Sequence, residues 1–486
     1  MEITLDILGH ADFMGRLRKS KMGPGIVPFS GTIEKVRSRN PEGTLLLDAG
    51  DEWAVNFWGG LPVVKALNLL GTDAYTLGNH EFDWGRDFLE KCIAAADFPV
   101  LAANVHYKET GSLIKGAQPY TILERRGVKI GILGLVTEYT PYMVEKSAFQ
   151  PFKMSSAAEA GSRYIPKMRE EGAEVIVVLA HCPFYIGEGG QISGELWDIL
   201  EKIPPVDVFI GGHIPGDYAG VVKGTCVLKA GFSKASLGHA RLVFDQEKRK
   251  VVRKSCQVLR TDPKQEGRAD IAAYAQKATE PFHEYLTETL AYLDQPWDMT
   301  LARESKLGDF LADCLRYGGK TELAYMNATS AGGRLDKGPV TRESFINVSR
   351  FNDPICVGEI SGEQLYRLIE LVFEPHRFGN NASILISGFH AQLDHTKPSP
   401  HKTILLTLSD GTPIDRRKKY SVATSSYMAS GGNDTSLVAG QIDFRKLKTT
   451  FHEAVFAYAR EQGNLFVEDY PRLQEKGTPE NDNSPF

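Results

Sequence analysis

A layered α/β domain followed by a second, α+β domain is the fold class the sequence predicts, and three observations carry it. The chain has 486 residues, more than the roughly 250–300 that a single hydrophobic core organises. Its first half alternates short apolar runs with amphipathic stretches, and a new set of elements begins after Trp297.

In chain order, the segment Met1–Leu8 reads as a first strand, and further apolar runs stand at Leu45–Leu47 before Asp48, Pro99–Leu101, Lys129–Leu133, Val175–Leu179 and Val206–Ile210. Continuous Val/Ile/Leu runs that end in Gly, Asn, Asp or His predict strands buried on both faces, with polar residues emerging at their carboxyl ends. This domain is expected over 1–258. From Gly267 to Leu293 the apolar residues Ile271, Tyr274, Ala275, Ala278, Phe282, Tyr285, Leu286 and Leu290 recur at helical spacing, which predicts one long helix within a linker at 259–298. The second domain, 299–470, is expected to hold helices at Leu307–Leu315 and Ser361–Val372. Its strands are expected at Leu323–Met326, near Ile384, at Thr403–Leu408 and at Tyr420–Thr424. A polar tail, 471–486, is expected to be disordered.

The composition excludes several classes. Hydrophobic residues make 42% and charged residues 24% of the chain, which is ordinary globular usage. Lys+Arg 56 against Asp+Glu 61 leaves a net charge of -5, so no global field attracts a nucleic acid polymer or an anionic membrane, and an anionic ligand needs a local site. No run approaches the ~20 apolar residues that span a bilayer. The cysteines at 92, 182, 226, 256, 314 and 356 lack CxxC spacing, so they are expected reduced and mostly buried, in a cytoplasmic protein unless a leader has been removed.

Chemistry-bearing residues follow the predicted strands: Asp12, Asp51, Asn79 with His80, His181 and His213. Open α/β sheets bind ligands beyond the carboxyl ends of their strands, so these side chains are expected to converge. Oxygen donors mixed with imidazoles suit Zn, Mn, Fe or Co. Read plainly, each is also a strand-end turn residue, but their repetition in order favours a site. Trp53, Trp58 and Trp84 are expected to wall that site or to fill the core.

The order and spacing of these residues, above all Gly78-Asn79-His80-Glu81-Phe82-Asp83, resemble the calcineurin-like metallophosphoesterases. The second half, with Arg303-Glu304-Ser305-Lys306-Leu307-Gly308-Asp309, Asn327, Gly338-Pro339-Val340-Thr341 and Tyr427-Met428-Ala429-Ser430-Gly431-Gly432, resembles the carboxy-terminal domain of 5'-nucleotidases. The resemblance implies a β-sandwich flanked by helices for the first domain. It further implies a divalent metal cofactor, Mn, Zn, Mg or Co, with one or two ions per chain. Asp51 would bridge the ions, and Asn79, His181 and His213 would complete one site. His80 would face the phosphoryl group, oriented by Asp83.

The other site departs from the family pattern. Asp12 is present, but Met14 and Pro215 stand where the family has histidine ligands. With Asp12 and Asp51 as its remaining donors, a harder ion such as Mg or Mn is expected there. His10, two residues before Asp12, is either a replacement ligand on the same strand face or a strand-end histidine bonded to backbone or water. Cys182 alternates away from His181 and is not expected to ligate.

In the second domain, Gly332 takes the position of the family's phosphate-binding arginine, with Arg334 two residues late. Ser383 replaces the first base-stacking ring, Tyr427 keeps the second, and Asn433 followed by Asp434 replaces the expected aspartate. Tyr427, Asn433, Asp434, Asn327 and Arg334 are the expected substrate residues, with Tyr427 alternatively a packing aromatic.

The expected function is hydrolysis of a small-molecule phosphoester, a nucleotide or nucleotide-like ester, by metal-activated water. The alternatives are a nucleotide-binding or regulatory protein with impaired hydrolysis, and a phosphatase of a non-nucleotide ester.

Overall fold

The computed structural model describes residues 1–20, 23–53, 59–187, 192–231, 235–300, 304–349, 351–373, 384–398, 401–468 and 470–477. The chain divides into two compact units, Met1–Pro281 and Phe282–Phe486.

Two six-stranded sheets form the first unit. In one, Glu2–His10, Thr44–Asp48, Ala74–Thr76 and Val100–Leu101 run parallel, and the antiparallel strands Leu237–Asp245 and Lys250–Leu259 extend the other edge. The other sheet centres on the parallel strands Val128–Val136, Val175–His181, Val208–Gly211 and Thr225–Lys229. Alternation sends Ile3, Leu5 and Ile7 of the first strand into a shared interior with Ile130, Ile132, Val175, Val177 and Val208. Leu8 packs instead beneath a helical layer with Phe29 and Leu67, and Ile176, Val178 and Phe209 pack beneath a second one. The expected layered sandwich flanked by helices is therefore present, because each central strand carries apolar side chains on both faces.

The expected long helix over 267–293 is not formed. Ala269–Thr279 is helical and belongs to the first unit, with Ile271 and Ala275 buried in its core. Pro281 lacks the N–H that would continue the ladder. A tight turn at Glu280–Phe282, a short helix at His283–Thr287 and a strand at Thr289–Leu293 follow. That strand pairs antiparallel with Gly338–Thr341 in the second unit. The apolar period was real, but part of it belonged to a strand.

In the second unit a five-stranded sheet is ordered Ile384–Ser387, Leu323–Asn327, Lys419–Ser425, Pro354–Ser361 and Arg445–Thr450. The helices Lys306–Gly319 and Gly362–Val372 fall where helical spacing placed them, and the latter starts with a capping box between Ser361 and Gln364. The tail expectation needs correction over its first residues. Leu473–Lys476 pairs with Phe389–Asp394, and the buried Arg472 guanidinium meets Asp313 at 2.8 Å. Residues 478–486 lie outside the described ones.

Candidate metal centre

Asp12, Asp51 and His213 share a backbone feature that places their side chains. Their φ angles are 56°, 61° and 75°, in the left-handed region that non-glycine residues rarely adopt. Each lies just past a strand, and the left-handed step breaks the alternation that would otherwise aim the side chain along a sheet face. Such strain costs of order 1–3 kcal/mol per residue and gathers at functional sites. Gly78 permits the close approach of the neighbouring loop, since a Cβ there would lie 2.1 Å from Asp51 Oδ1.

Asp51, His181 and His213 offer ligand atoms within 4.8 Å of one another. The Nδ1–H of His181 donates to the Ala49 carbonyl at 2.6 Å, which turns Nε2 toward Asp51 Oδ2 at 3.0 Å. His213 Nδ1 lies 2.8 Å from Asn79 Oδ1, and the His213 N–H donates to Asp12 Oδ2 at 2.8 Å. The rings of His181 and His213 stand edge to face, 5.3 Å apart. His80 joins through its N–H, which donates to Asp51 Oδ1 at 2.9 Å, and its Nδ1 contacts Asp83 Oδ2 at 2.8 Å. The structure thus brings Asp12, Asp51, Asn79, His80, Asp83, His181 and His213 together.

The electrostatics are those of a cation site. Burial raises Asp12 to about 6, whereas for Asp51 burial is outweighed by His181 and His80, so it stays below the usual carboxylate range. Burial opposes charge on His181, yet Asp51 and Asp12 hold it up to about 10. Burial, then the neighbouring His181, push His213 down to about 3. The proton held on His181 balances the buried carboxylates in part, as a cation there would. Among the described residues, buried Asp12 Oδ1 has no hydrogen-bond partner, and carboxylate, amide oxygen and imidazole are the donors such an ion takes. The residues fit a metal.

Three expectations are corrected. His10 does not turn toward Asp12: its strand ends at His10, and the left-handed Asp12 breaks the shared face, so the His10 ring packs edge-on to Phe29 and faces Asp48 and Glu52. Trp84, expected to wall the site or fill the core, is 61% exposed and leans on Phe88. Arg334 is exposed, and its guanidinium faces the carboxylates of Asp298 and Asp336. Trp53 fills the core, stacked on Tyr75, and Cys182 is buried beneath the second helical layer. Trp58, Ser383 and Arg303 lie outside the described residues.

The remaining second-unit residues are locally tied. Asn327 uses its amide within its own turn, donating to Thr329 Oγ1 at 2.7 Å and accepting from Ser330 Oγ at 2.6 Å. Tyr427 donates through its hydroxyl to Asn433 Oδ1 at 3.1 Å and accepts from the Asn433 N–H at 3.2 Å. Asn433 and the exposed Asp434 are both left-handed.

Two residues were missed by sequence reasoning. The Glu81 carboxylate accepts from the N–H groups of Asp51, Glu52, Trp53 and Gly78 and from the Tyr75 hydroxyl, so it knits the loop bearing Asp51 to the loop bearing Asn79. Its place inside the Gly78–Asp83 motif was the available signal. Lys229, at the end of its strand and 5% exposed, is pushed down to about 8 by burial, against the pull of Asp12 and Asp217. Nothing in a lone strand-end lysine distinguishes it in sequence.

Strand-end carboxylates and imidazoles on such a sandwich, beside a carboxylate-backed histidine, have the donors and charge for phosphoester chemistry on a metal ion, and fold and site assign the chain to the metal-dependent phosphoesterases. Residues 28–217 match the calcineurin-like phosphoesterase model, and residues 289–439 match the 5'-nucleotidase, C-terminal domain model. The chain therefore carries a calcineurin-like phosphoesterase domain followed by a 5'-nucleotidase carboxy-terminal domain. Among curated proteins, it is 25% identical over 494 residues to a snake venom 5'-nucleotidase of Gloydius brevicauda, covering 91% of this chain and 82% of that one. It is 26% identical over 429 residues to the endonuclease YhcR of Bacillus subtilis, covering 84% of this chain but only 34% of that longer protein. In fold it resembles a 5'-nucleotidase precursor from Thermus thermophilus, with a TM-score of 0.81 at 21% identity over 98% of this chain and 100% of that one.

Proposed function

We propose that this chain hydrolyses a phosphate ester of a nucleotide or nucleotide-like small molecule by metal-activated water. The observation that carries the proposal is the cluster of Asp51, His181 and His213 with His80 and Asp83 beside it. Asp51, Asn79, His181 and His213 would hold one ion and Asp12 with Asp51 would hold another. When bound, such ions supply Lewis acidity at the phosphoryl oxygen and a nucleophile at neutral pH. Burial opposes charge on His80, but Asp83 and Asp51 hold its pKa up to about 9. His80 therefore carries a proton at neutral pH, to meet the charge growing on the phosphoryl group or to give to the leaving oxygen. Asp83 fixes the ring's orientation through Nδ1. Lys229 adds positive charge near Asp12 where Met14 and Pro215 leave the family's imidazoles missing.

Tyr427 offers the aromatic face for a base, a contact worth about 1–3 kcal/mol. Its bond to Asn433 holds the ring, and Asn433 and Asp434 offer an amide and a carboxylate for sugar hydroxyls. Nucleotide breakdown in the cytoplasm is the setting that the scattered, mostly buried cysteines support; cell fractionation tests it. Among the described residues no helix is long and apolar enough to cross a membrane.

Metal-free protein given Mn, Zn, Mg or Co and a panel of nucleotides, sugar phosphates and aryl phosphates decides the matter. Turnover on nucleotides above a His80→Ala control supports the proposal, and no turnover with any ion rejects it. A second reading rests on the same departures, Met14, Pro215, Gly332 and Asn433: a nucleotide-binding regulator with impaired hydrolysis. Calorimetric nucleotide binding without hydrolysis over days would favour it, whereas turnover confined to other esters would mark a non-nucleotide phosphatase.

A further inference from the structure

A second constellation of donors lies on the helix-covered face of the first sheet and shares no residue with the metal centre. His10 ends the first strand, Asp48 is its register partner on the neighbouring parallel strand, and Glu52 follows four residues later. All three are 0% exposed.

Their contacts are unusual for buried polar groups. His10 Nε2 is 3.6 Å from Asp48 Oδ2 and His10 Nδ1 is 3.5 Å from Glu52 Oε1, beyond the range of a good hydrogen bond. Among the described residues, both ring nitrogens, Asp48 Oδ2 and Glu52 Oε2 make no hydrogen bond. The other carboxylate oxygens are anchored, Asp48 Oδ1 by the Gly50 N–H at 3.0 Å and Glu52 Oε1 by the Phe13 N–H at 2.9 Å. Taking one ring nitrogen and one oxygen from each carboxylate, the three donors lie within 4.8 Å of one another.

Buried polar atoms left unpaired are costly, and unpaired buried charges more so. A shared proton would draw imidazole and carboxylate to about 2.7–2.9 Å. Donors around a tetrahedral ion at about 2.1 Å stand about 3.4 Å apart; only one ring nitrogen of His10 can face the ion, and with one atom taken from each residue the three donors lie within 4.8 Å of one another, close enough to converge on it. Two carboxylates and a neutral imidazole around a divalent ion also sum to zero charge, which suits a site with no access to water.

We propose that His10, Asp48 and Glu52 form a structural site for a divalent first-row metal ion, separate from the metal centre. The ion ties the ends of the first two parallel strands to the loop that carries Asp51. It stiffens the base of the metal centre without touching substrate, and its burial makes its exchange slow.

Crystals of the full chain grown with zinc and measured across the zinc absorption edge test the proposal directly. An anomalous peak bounded by His10, Asp48 and Glu52 is expected; a peak at Asp51, His181 and His213 with none at His10 overturns it. In solution, elemental analysis after gel filtration should find about one zinc fewer in His10→Gln than in the native chain. The rise in Tm given by zinc over EDTA should shrink in the same variant. Equal zinc content in the two proteins overturns the proposal, and the wild-type crystal decides if the variant does not fold.

Discussion

His181 Nε2 stands 3.0 Å from Asp51 Oδ2 because the opposite nitrogen of the ring is held by the Ala49 carbonyl, two residues before Asp51. One loop therefore both orients the imidazole and presents the carboxylate it faces. Asp51→Asn should lower kcat about a thousandfold or more and weaken metal binding, since an amide replaces the most strongly ionised group of the centre. Steady-state kinetics with metal titration checks this.

Metal binding should release protons. Burial disfavours charge on His181, but Asp51 and Asp12 hold it up to about 10, so in the metal-free chain it is protonated at neutral pH and must lose that proton to ligate. Metal affinity should rise with pH below about 10, by up to tenfold per unit for one proton released. Calorimetry in buffers of different ionisation enthalpy reads the proton count.

His80→Ala should cost about 10²–10⁴ in kcat. With His80 held up to about 9 by Asp83 and Asp51 against burial, activity should fall as pH climbs through that value. Asp83→Asn should move the fall to lower pH, a shift in the pH–rate profile that a merely destabilised protein would not show.

Restoring imidazoles by Met14→His with Pro215→His should raise zinc bound at the Asp12 side and increase kcat with zinc. Met14 has φ 55°, a conformation histidine tolerates better than most residues. Unchanged zinc stoichiometry by elemental analysis would count against assigning Asp12 to a second ion.

Glu81→Gln should destabilise the chain by about 2–4 kcal/mol and loosen the metal centre, because an amide nitrogen would be turned toward N–H donors that now share a carboxylate. Thermal melts and metal retention after dialysis measure the two effects.

In the second unit, burial pushes His452 from 6.5 down to about 4, against the hydrogen bond to the Ser349 carbonyl. The unfolded chain takes up a proton near pH 6.5 that the folded chain refuses until about pH 4, so stability falls as pH drops through that window. The loss amounts to about 3 kcal/mol. Urea melts at pH 7 and 4.5 should show a smaller difference in His452→Gln.

The strands and their chemistry-bearing ends were legible because both signals are local. A run such as Val175–Leu179 reports burial on two faces, and His181, two residues on, closes that strand. The spacing of Asp51, Asn79 and His80 likewise needed no partner to be read. His10 stayed open between two readings because alternation holds only while the strand continues, and the left-handed turn at Asp12 is not encoded in any period. The helix over 267–293 failed for a related reason: apolar spacing continued past Pro281 although the backbone did not.

The identity and order of the proposed metal donors and the loss of two family imidazoles were legible in the chain's residues alone, since each depends only on which side chain stands at which position. Only folding in three dimensions decided that His10 would meet Asp48 and Glu52, that Glu81 would bind two loops together, and that Arg334 would spend its guanidinium on Asp298 and Asp336. Those outcomes depend on contacts between distant segments, where burial and the need to pair every polar atom choose among arrangements that local pattern leaves equal.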